Sequence, residues 1–200
     1  QSSTATKRQP QKDSSGEEIS IIFVDNTNNS GTEDGTLAHP YNTLAEAFLD
    51  SRYSGLGGSS KYIYVSKGDG TATGYTGNYA LADNVVFWGS GYDGGYKGLP
   101  APGYPIIAVG VGEITLAQNN TVMGLEINVG GGIGIYGENP GKVIICNNII
   151  LNSDGISLYA EGDFNNTIDI NHNFIDVNHA LSSDGIYLYT RQNSVNIINI

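Results

Sequence analysis

The carboxy-terminal half of the chain alternates short apolar runs with turns rich in Gly and Asn. Three Gly-Ile-x-Ile/Leu-Tyr units recur there, with the sequences GIGIY at 132–136, GISLY at 155–159 and GIYLY at 185–189. They begin 23 and then 30 residues apart. Each is followed by a second alternating run, and these runs begin at Val143, Ile168 and Val195. Repeats of this length, each with two short strands and no room for a helix, predict the coils of a parallel β-helix.

The amino-terminal part has a different pattern, which predicts one amphipathic helix over about residues 43–53. Thr43 can cap its first turn, and Glu46 stands at the capping-box position. Pro40 prevents the helix from extending backwards. Helical spacing places three apolar side chains on one face, namely those of Leu44, Ala47 and Phe48.

These patterns divide the chain into three parts. Residues 1–18 form a polar tail, expected to be disordered or a linker unless its own domain or a neighbouring chain holds it. Residues 19–60 are expected to form a cap that covers the open end of the solenoid, and residues 61–200 its coils. The chain stops at Ile200 inside an apolar run, so we expect it to be truncated there. Self-association is expected through the tail and the open carboxy-terminal coil.

Composition narrows the class of partner. Nine basic and 20 acidic residues give a formal net charge of −11, which disfavours nucleic acid, and also anionic polysaccharides unless a cation bridges them. Few charges, abundant Gly, Asn and Tyr, and a single cysteine favour an exported protein at the cell surface or in the extracellular space. Cys146 is expected to be a small buried apolar residue. No apolar stretch is long enough to predict a membrane span.

Two groups of segments resemble a known superfamily. The first comprises VD at 24–25, GTEDG at 31–35 and HPYNTLAEAF at 39–48. It is similar to the entry segment of right-handed parallel β-helix proteins of the pectate-lyase-like superfamily. The second comprises YIYVSKGDGT at 62–71 and YALADNVVFWGSG at 79–91. It resembles the β-helix segments of large bacterial surface adhesins of the inverse-autotransporter type. The resemblance spans roughly residues 19–200.

This resemblance implies an all-β fold, a right-handed parallel β-helix (solenoid) with a short amino-terminal capping helix. It leaves function open, because the superfamily includes lyases, hydrolases, tailspikes and adhesins without catalytic activity.

Two Asp-Gly turns are the candidate catalytic positions. NSDG at 152–155 is similar to the Asn-Thr-Asp-Gly motif of polygalacturonase-type glycosidases, and SDG recurs at 183–185. If the protein is an enzyme, Asp154 and Asp184 are therefore the expected catalytic residues. That family also carries an Asp pair, a His-Gly motif and an Arg/Lys motif, which are missing here. We favour the interpretation that both aspartates form turns, in which Gly supplies a positive φ.

The remaining polar residues predict structure more than chemistry. No cofactor is expected; calcium is the only candidate, and Asp169 and Asp176 alone do not make a site for it. His39, His172 and His179 lack metal-ligand spacing. Asn148 and Asn173 are predicted to form a ladder of hydrogen bonds between coils.

Tyrosines are the candidate binding residues. Alternation within the repeated units predicts that Tyr136, Tyr159 and Tyr189 form an outward row, with Tyr187 beside it. Tyr75, Tyr92 and Tyr96 lie in two Gly-rich excursions near the capped end. Tyrosine rings suit sugar faces and protein surfaces. The alternatives are a stack that only stabilises the solenoid, and loops that pack on themselves.

Three functions follow, in order of preference. The first is a non-catalytic extracellular surface protein, an adhesin or a fibre segment that binds a glycan or a protein. The second is a carbohydrate-active enzyme, either a polysaccharide lyase or a polygalacturonase-like hydrolase. The third is a fragment of a phage tailspike.

Overall fold

The computed structural model describes residues 20–55, 61–92, 103–161, 165–177, 185–191 and 195–199. Within them the chain forms two short helices and 16 strands. The first elements in chain order are β1 (Ile21–Val24), α1 (Leu44–Leu49), α2 (Ser51–Gly55), β2 (Lys61–Val65), β3 (Tyr79–Ala80), β4 (Val85–Gly89), β5 (Ile106–Gly110), β6 (Ile114–Leu116) and β7 (Thr121–Met123). The others are β8 (Glu126–Val129), β9 (Ile135–Glu138), β10 (Lys142–Cys146), β11 (Ile149–Leu151), β12 (Gly155–Glu161), β13 (Asn165–Asn171), β14 (Phe174–Asp176), β15 (Gly185–Arg191) and β16 (Val195–Asn199).

The strands form three sheets in which every pairing is parallel. The first sheet has seven strands in the order β1-β2-β4-β7-β10-β13-β16, the second has four in the order β14-β11-β8-β5, and the third has five in the order β15-β12-β9-β6-β3. From β4 onwards the chain visits the first, second and third sheets in turn and then repeats the circuit. The protein is therefore all-β, with stacked parallel sheets compatible with a parallel β-helix.

Strand register stacks apolar side chains in columns that form the core. In the first sheet, Ile63, Phe87 and Val122 are directly paired, and the column continues through Ile145 and Ile170. All five are buried. Each buried side chain of this kind stabilises the fold by about 1.5–3 kcal/mol, so the inward positions of the alternating runs hold the sheets together.

The first sheet is also apolar on its outward face from β1 to β10. Tyr64, Trp88, Met123 and Cys146 are in register across β2, β4, β7 and β10 and belong to a second buried cluster. Burial raises the pKa of the Cys146 thiol and disfavours its reactive thiolate. Cys146 is thus a buried apolar residue, as the sequence predicts.

The predicted asparagine ladder is present. The Asn148 side chain accepts a hydrogen bond from the Leu125 backbone N–H and donates to the Val122 carbonyl and to Asn173 Oδ1. Asn173 Nδ2 in turn donates to the Ile145 carbonyl at 2.8 Å. Because these residues lie 23 to 28 positions apart in the chain, the ladder connects three successive circuits.

The predicted helix is present in part. Thr43 and Glu46 form the predicted capping box, and Leu44 and Ala47 are fully buried. One continuous helix over 43–53 is wrong, because the chain is extended at Asp50 (φ −60°, ψ 135°) and separates α1 from α2.

The cause of this break is a local polar network. The Asp50 carboxylate accepts hydrogen bonds from the Arg52 backbone N–H, from the Arg52 guanidinium and from the Tyr41 hydroxyl. A short polar side chain that binds the backbone two residues later competes with helix continuation. The spacing of apolar residues does not predict such side-chain hydrogen bonds, so it did not predict the break in the helix.

The structure also corrects the repeat register. Gly134, rather than Gly132, is equivalent to Gly155, because Ile135 pairs with Ile156. In the last circuit, Ile168 pairs with Ile198, rather than Val195. The doubled Gly-Ile in GIGIY allows two alignments, and strand pairing selects the one that begins at Gly134.

Candidate functional site

The outward face of the third sheet carries four tyrosines on neighbouring strands. β9, β12 and β15 present Tyr136, Tyr159, Tyr187 and Tyr189, and we call these four residues the tyrosine face. The inward residues of the same strands, Ile135, Ile156 and Leu158, are buried. Alternation along each strand therefore turns the rings away from the core.

The register of the tyrosine face differs from the predicted row. Tyr136 is in register with Ser157, which pairs with Tyr187, whereas Tyr159 pairs with Glu138 on one side and Tyr189 on the other. The tyrosines thus occupy two staggered columns, so Tyr136, Tyr159 and Tyr189 do not form one straight, in-register row, although consecutive rings of the predicted row are in contact. The prediction aligned Gly132 with Gly155, whereas the structure aligns Gly134 with Gly155, and this shift of two residues moves Tyr136 out of register with Tyr159.

Tyr159 is the centre of the tyrosine face. Its ring centroid lies 5.6 Å from that of Tyr136, 5.6 Å from that of Tyr187 and 5.8 Å from that of Tyr189. Ser157 is small and 92% buried, and it separates Tyr136 from Tyr187 in their column. Because Tyr159 contacts the other three rings, the four rings form one connected surface. Aromatic contacts of this kind stabilise an arrangement by about 0.5–1.5 kcal/mol per pair.

Carboxylates border this surface. Burial raises the pKa of Tyr136, and the negative charges of Glu138 and Glu113 raise it further. Register also places Glu161 opposite Arg191 at the end of β12 and β15. Glu113 and Glu138 are absent from the sequence-based set of site residues, although the position of Glu138 two residues after Tyr136 could have indicated it.

Two of the loop tyrosines proposed for binding are located by the structure. Tyr75 is fully buried, and its hydroxyl accepts a hydrogen bond from the Asn26 backbone N–H at 2.9 Å. It cannot contact an external ligand, so its place among the binding residues is wrong. The alternation that identifies outward residues on strands does not apply to the irregular turn that holds Tyr75.

Tyr92 remains a candidate, but it stands apart from the tyrosine face. It is 38% exposed and follows β4 of the first sheet. Its carbonyl accepts a hydrogen bond from Trp88 Nε1, which ties this turn to the buried cluster. Tyr96 lies outside the described residues.

Asp154 lies in a turn between the second and third sheets. Its backbone N–H donates to the Gly132 carbonyl, and the neighbouring Ser153 Oγ accepts a hydrogen bond from the Gly155 N–H at 2.9 Å. Gly155 has the positive φ, 89°, that the turn interpretation requires. Asp154 therefore lies in a turn of the kind that the sequence predicts. Asp184 lies outside the described residues.

Metal ligands do not converge in the part of the chain that the structure describes: no three His, Cys, Asp or Glu side chains there form a group that could hold an ion. Asp169 and Asp176 lie on different sheets, on β13 and β14. Asp169 accepts a hydrogen bond from Asn171 Nδ2 at 2.7 Å.

Within the same described ranges, neither helix is long and apolar enough to cross a membrane.

Comparison with protein families, with curated proteins and with solved structures gave no match. The tyrosine face and its acidic border are therefore interpreted on their own geometry.

Proposed function

We propose that this chain is part of a non-catalytic extracellular surface protein, an adhesin or fibre segment, that binds a glycan or a protein through the tyrosine face. Its fold would be a right-handed parallel β-helix of the pectate-lyase-like kind, with α1 as the amino-terminal cap. The regular passage through three parallel sheets supports this fold, since each circuit then contacts only its neighbours, as in other solenoids.

Contacts of α1 support its role as a cap. Phe48 stacks on Tyr79 of the third sheet at a centroid distance of 5.1 Å, and its ring meets Phe87 of the first sheet edge-on at 6.0 Å. The same helix buries Leu44 and Ala47 completely. A helix that packs on residues from two sheets covers apolar surface between them that water would otherwise reach.

The observation that carries the binding proposal is the tyrosine face itself. Its rings point away from the core, which the inward isoleucines and leucines already fill. Tyr187 retains 36% of its accessible surface, and its hydroxyl and ring can both contact a partner. Rings on paired strands lose little conformational entropy on binding.

The non-catalytic part of the proposal is supported by the position of Asp154. Hydrolysis of a glycosidic bond by the common mechanism uses two carboxylates on either side of the bond. Asp154 instead belongs to a turn whose backbone groups bind Gly132 and Ser153.

Binding and catalysis can be tested with one set of proteins. Wild type, Tyr159→Ala and Phe174→Ala would be compared for binding to immobilised polysaccharides and matrix glycoproteins by biolayer interferometry. Phe174 is the matched control, because it is an exposed aromatic residue on the second sheet, 61% accessible. We expect Tyr159→Ala alone to weaken binding, by about tenfold, because it removes the central ring.

The same polysaccharides would then be incubated with wild type and assayed for new reducing ends and unsaturated products. Such products, abolished by Asp154→Asn, would overturn the non-catalytic proposal. Equal binding by wild type and Tyr159→Ala would overturn the role of the tyrosine face.

A further inference from the structure

The rings of the tyrosine face are mutually inclined. The plane of Tyr159 makes angles of 49° with Tyr136, 52° with Tyr187 and 47° with Tyr189. A flat ligand, such as the face of a crystalline polysaccharide, contacts several rings at once only when those rings are coplanar. A ligand can contact several of these inclined rings at once only if its successive units are rotated relative to one another.

A single glycan chain meets this requirement. Its glycosidic torsions let neighbouring sugars rotate relative to one another, and each sugar offers an apolar C–H face to one ring. Centroid separations of 5.6–5.8 Å are comparable with the length of one sugar unit. The three strands that carry the rings are parallel and in register, so the rings are held in place before the ligand binds and little order is lost on association.

The charge beside the rings selects among glycans. Glu138 is paired directly with Tyr159. The charges of Glu138 and Glu113 both raise the pKa of Tyr136. Glu161 lies opposite Arg191, which offsets its charge, so the acidic border consists of Glu113 and Glu138. Carboxylates accept hydrogen bonds from sugar hydroxyls but repel uronate and sulfate groups. Between exposed charges this repulsion extends over a Debye length of about 8 Å at physiological ionic strength, which covers a chain that lies on the tyrosine face.

We propose that the tyrosine face binds a single, uncharged glycan chain, and not a crystalline polysaccharide surface or an anionic polymer. This inference rests on the proposed binding function and specifies its ligand. Tyr159 contacts the central sugar, and Tyr136 and Tyr187 contact its neighbours on either side. The acidic border contributes hydrogen bonds to hydroxyls and excludes anionic chains.

Affinity electrophoresis of wild type in gels that contain soluble mixed-linkage β-glucan, galactomannan, soluble starch or polygalacturonate tests this assignment. Microcrystalline cellulose and chitin would be used in sedimentation assays with the same protein. We expect retardation by at least one neutral soluble glycan, none of comparable strength by polygalacturonate, and no co-sedimentation with the crystalline solids. Retardation should weaken about tenfold in Tyr159→Ala and should be unchanged in Phe174→Ala.

Two further variants keep the test informative if Tyr159→Ala fails to fold. Tyr187→Ala removes the most exposed ring of the tyrosine face and should weaken binding of the same neutral glycan. Glu138→Gln removes one charge of the border and should increase retardation by polygalacturonate at low salt. A smaller effect at 0.5 M salt is expected, because salt screens the repulsion.

Different outcomes separate this inference from the function on which it rests. Retardation by none of the neutral glycans, or co-sedimentation with cellulose that depends on Tyr159, would overturn the ligand assignment. Capture of an enzymatically deglycosylated matrix protein or of oligolysine that depends on Tyr159 would also overturn the assignment, while the binding function would stand. Tyr159-independent binding to every probe would overturn both.

Discussion

A single amide, that of Asn148, joins three circuits of the chain. It is 99% buried, and it satisfies one backbone N–H and one backbone carbonyl of the preceding circuit as well as the Asn173 amide of the next. In a sheet protein, bends between strands interrupt the ladder of backbone bonds, and here a side chain supplies the missing partners.

Asn148→Ala should therefore lower the free energy of unfolding by about 2–4 kcal/mol, because it leaves buried groups on Leu125 and Val122 without partners. Urea denaturation followed by circular dichroism measures this change. Asn128→Ala is the matched control: Asn128 receives one bond from Asn152 in a partly exposed position, and its loss should cost about 1 kcal/mol or less. Equal effects of the two substitutions would contradict a structural role for the ladder.

Gly155 and Gly185 are equivalent residues of successive circuits and offer a second matched pair. Both have positive φ, but a Cβ at Gly155 would lie 1.8 Å from the Gly185 carbonyl oxygen, whereas a Cβ at Gly185 meets nothing within 4 Å. Gly185→Ala should cost about 1–2 kcal/mol from backbone strain alone. Gly155→Ala should cost about 3–4 kcal/mol, because it adds a backbone collision. Thermal unfolding of both variants checks the order, which should not be reversed.

Among the elements, the break between α1 and α2 depends on charge. Hydrogen bonds from Arg52 lower the pKa of Asp50 to about 2, with contributions from Tyr41. An unfolded Asp has a pKa of about 3.9. Since the folded pKa is the lower one, the stabilisation from this group is complete above pH about 4 and is lost as the pH falls towards 2.

Asp50→Asn should abolish this part of the pH dependence. Its urea midpoint should lie below that of wild type at pH 6, and the two should converge towards pH 2, where the wild-type carboxyl is protonated. Arg52→Ala removes the main donor and should flatten the profile in the same way. Profiles for wild type and Asp50→Asn that remain parallel from pH 6 to pH 2 would contradict the assignment.

The strands show how far sequence patterns reach. Alternation of apolar residues locates the run that begins at Val143, but each circuit has three strands rather than the two that the sequence predicts. β10 and β11 divide this run between the first and second sheets. The register between runs was not predictable from GIGIY, because the Gly-Ile-x-Ile/Leu-Tyr pattern favours the alignment from Gly132. The pairing of Ile135 with Ile156 depends on contacts between circuits, and the positions of the four tyrosines depend on it in turn.

At the scale of the whole molecule, the sequence indicated stacked parallel strands without any match to a known protein, because a repeated unit with period-two alternation has few other ways to bury its apolar face. The tyrosine face was predicted as outward rings, but its staggered columns and acidic border were not. Those features arise between strands, where Glu138 meets Tyr159 and Ser157 meets Tyr136, and local alternation contains no information about such neighbours.

Self-association remains a prediction for the whole chain, and residues 1–18 lie outside the described residues. If the tail takes part, sedimentation velocity should detect oligomers of the full chain and a monomer after deletion of residues 1–18. A chain with the tail sequence shuffled controls for length and composition, and it should also be monomeric. A monomeric full chain, or oligomers that persist in the deletion, would contradict the role of the tail.

The direction of strand pairing has a mechanical consequence. Because all three sheets pair circuit to circuit, tension applied between the two ends of the stack passes through every interface in series. The weakest interface then sets the force at which the stack opens, as in a row of linked springs. Asn148 and Asn173 add side-chain bonds at both interfaces of the circuit that carries Tyr159, so the ladder reinforces the stack where a bound ligand would pull on it.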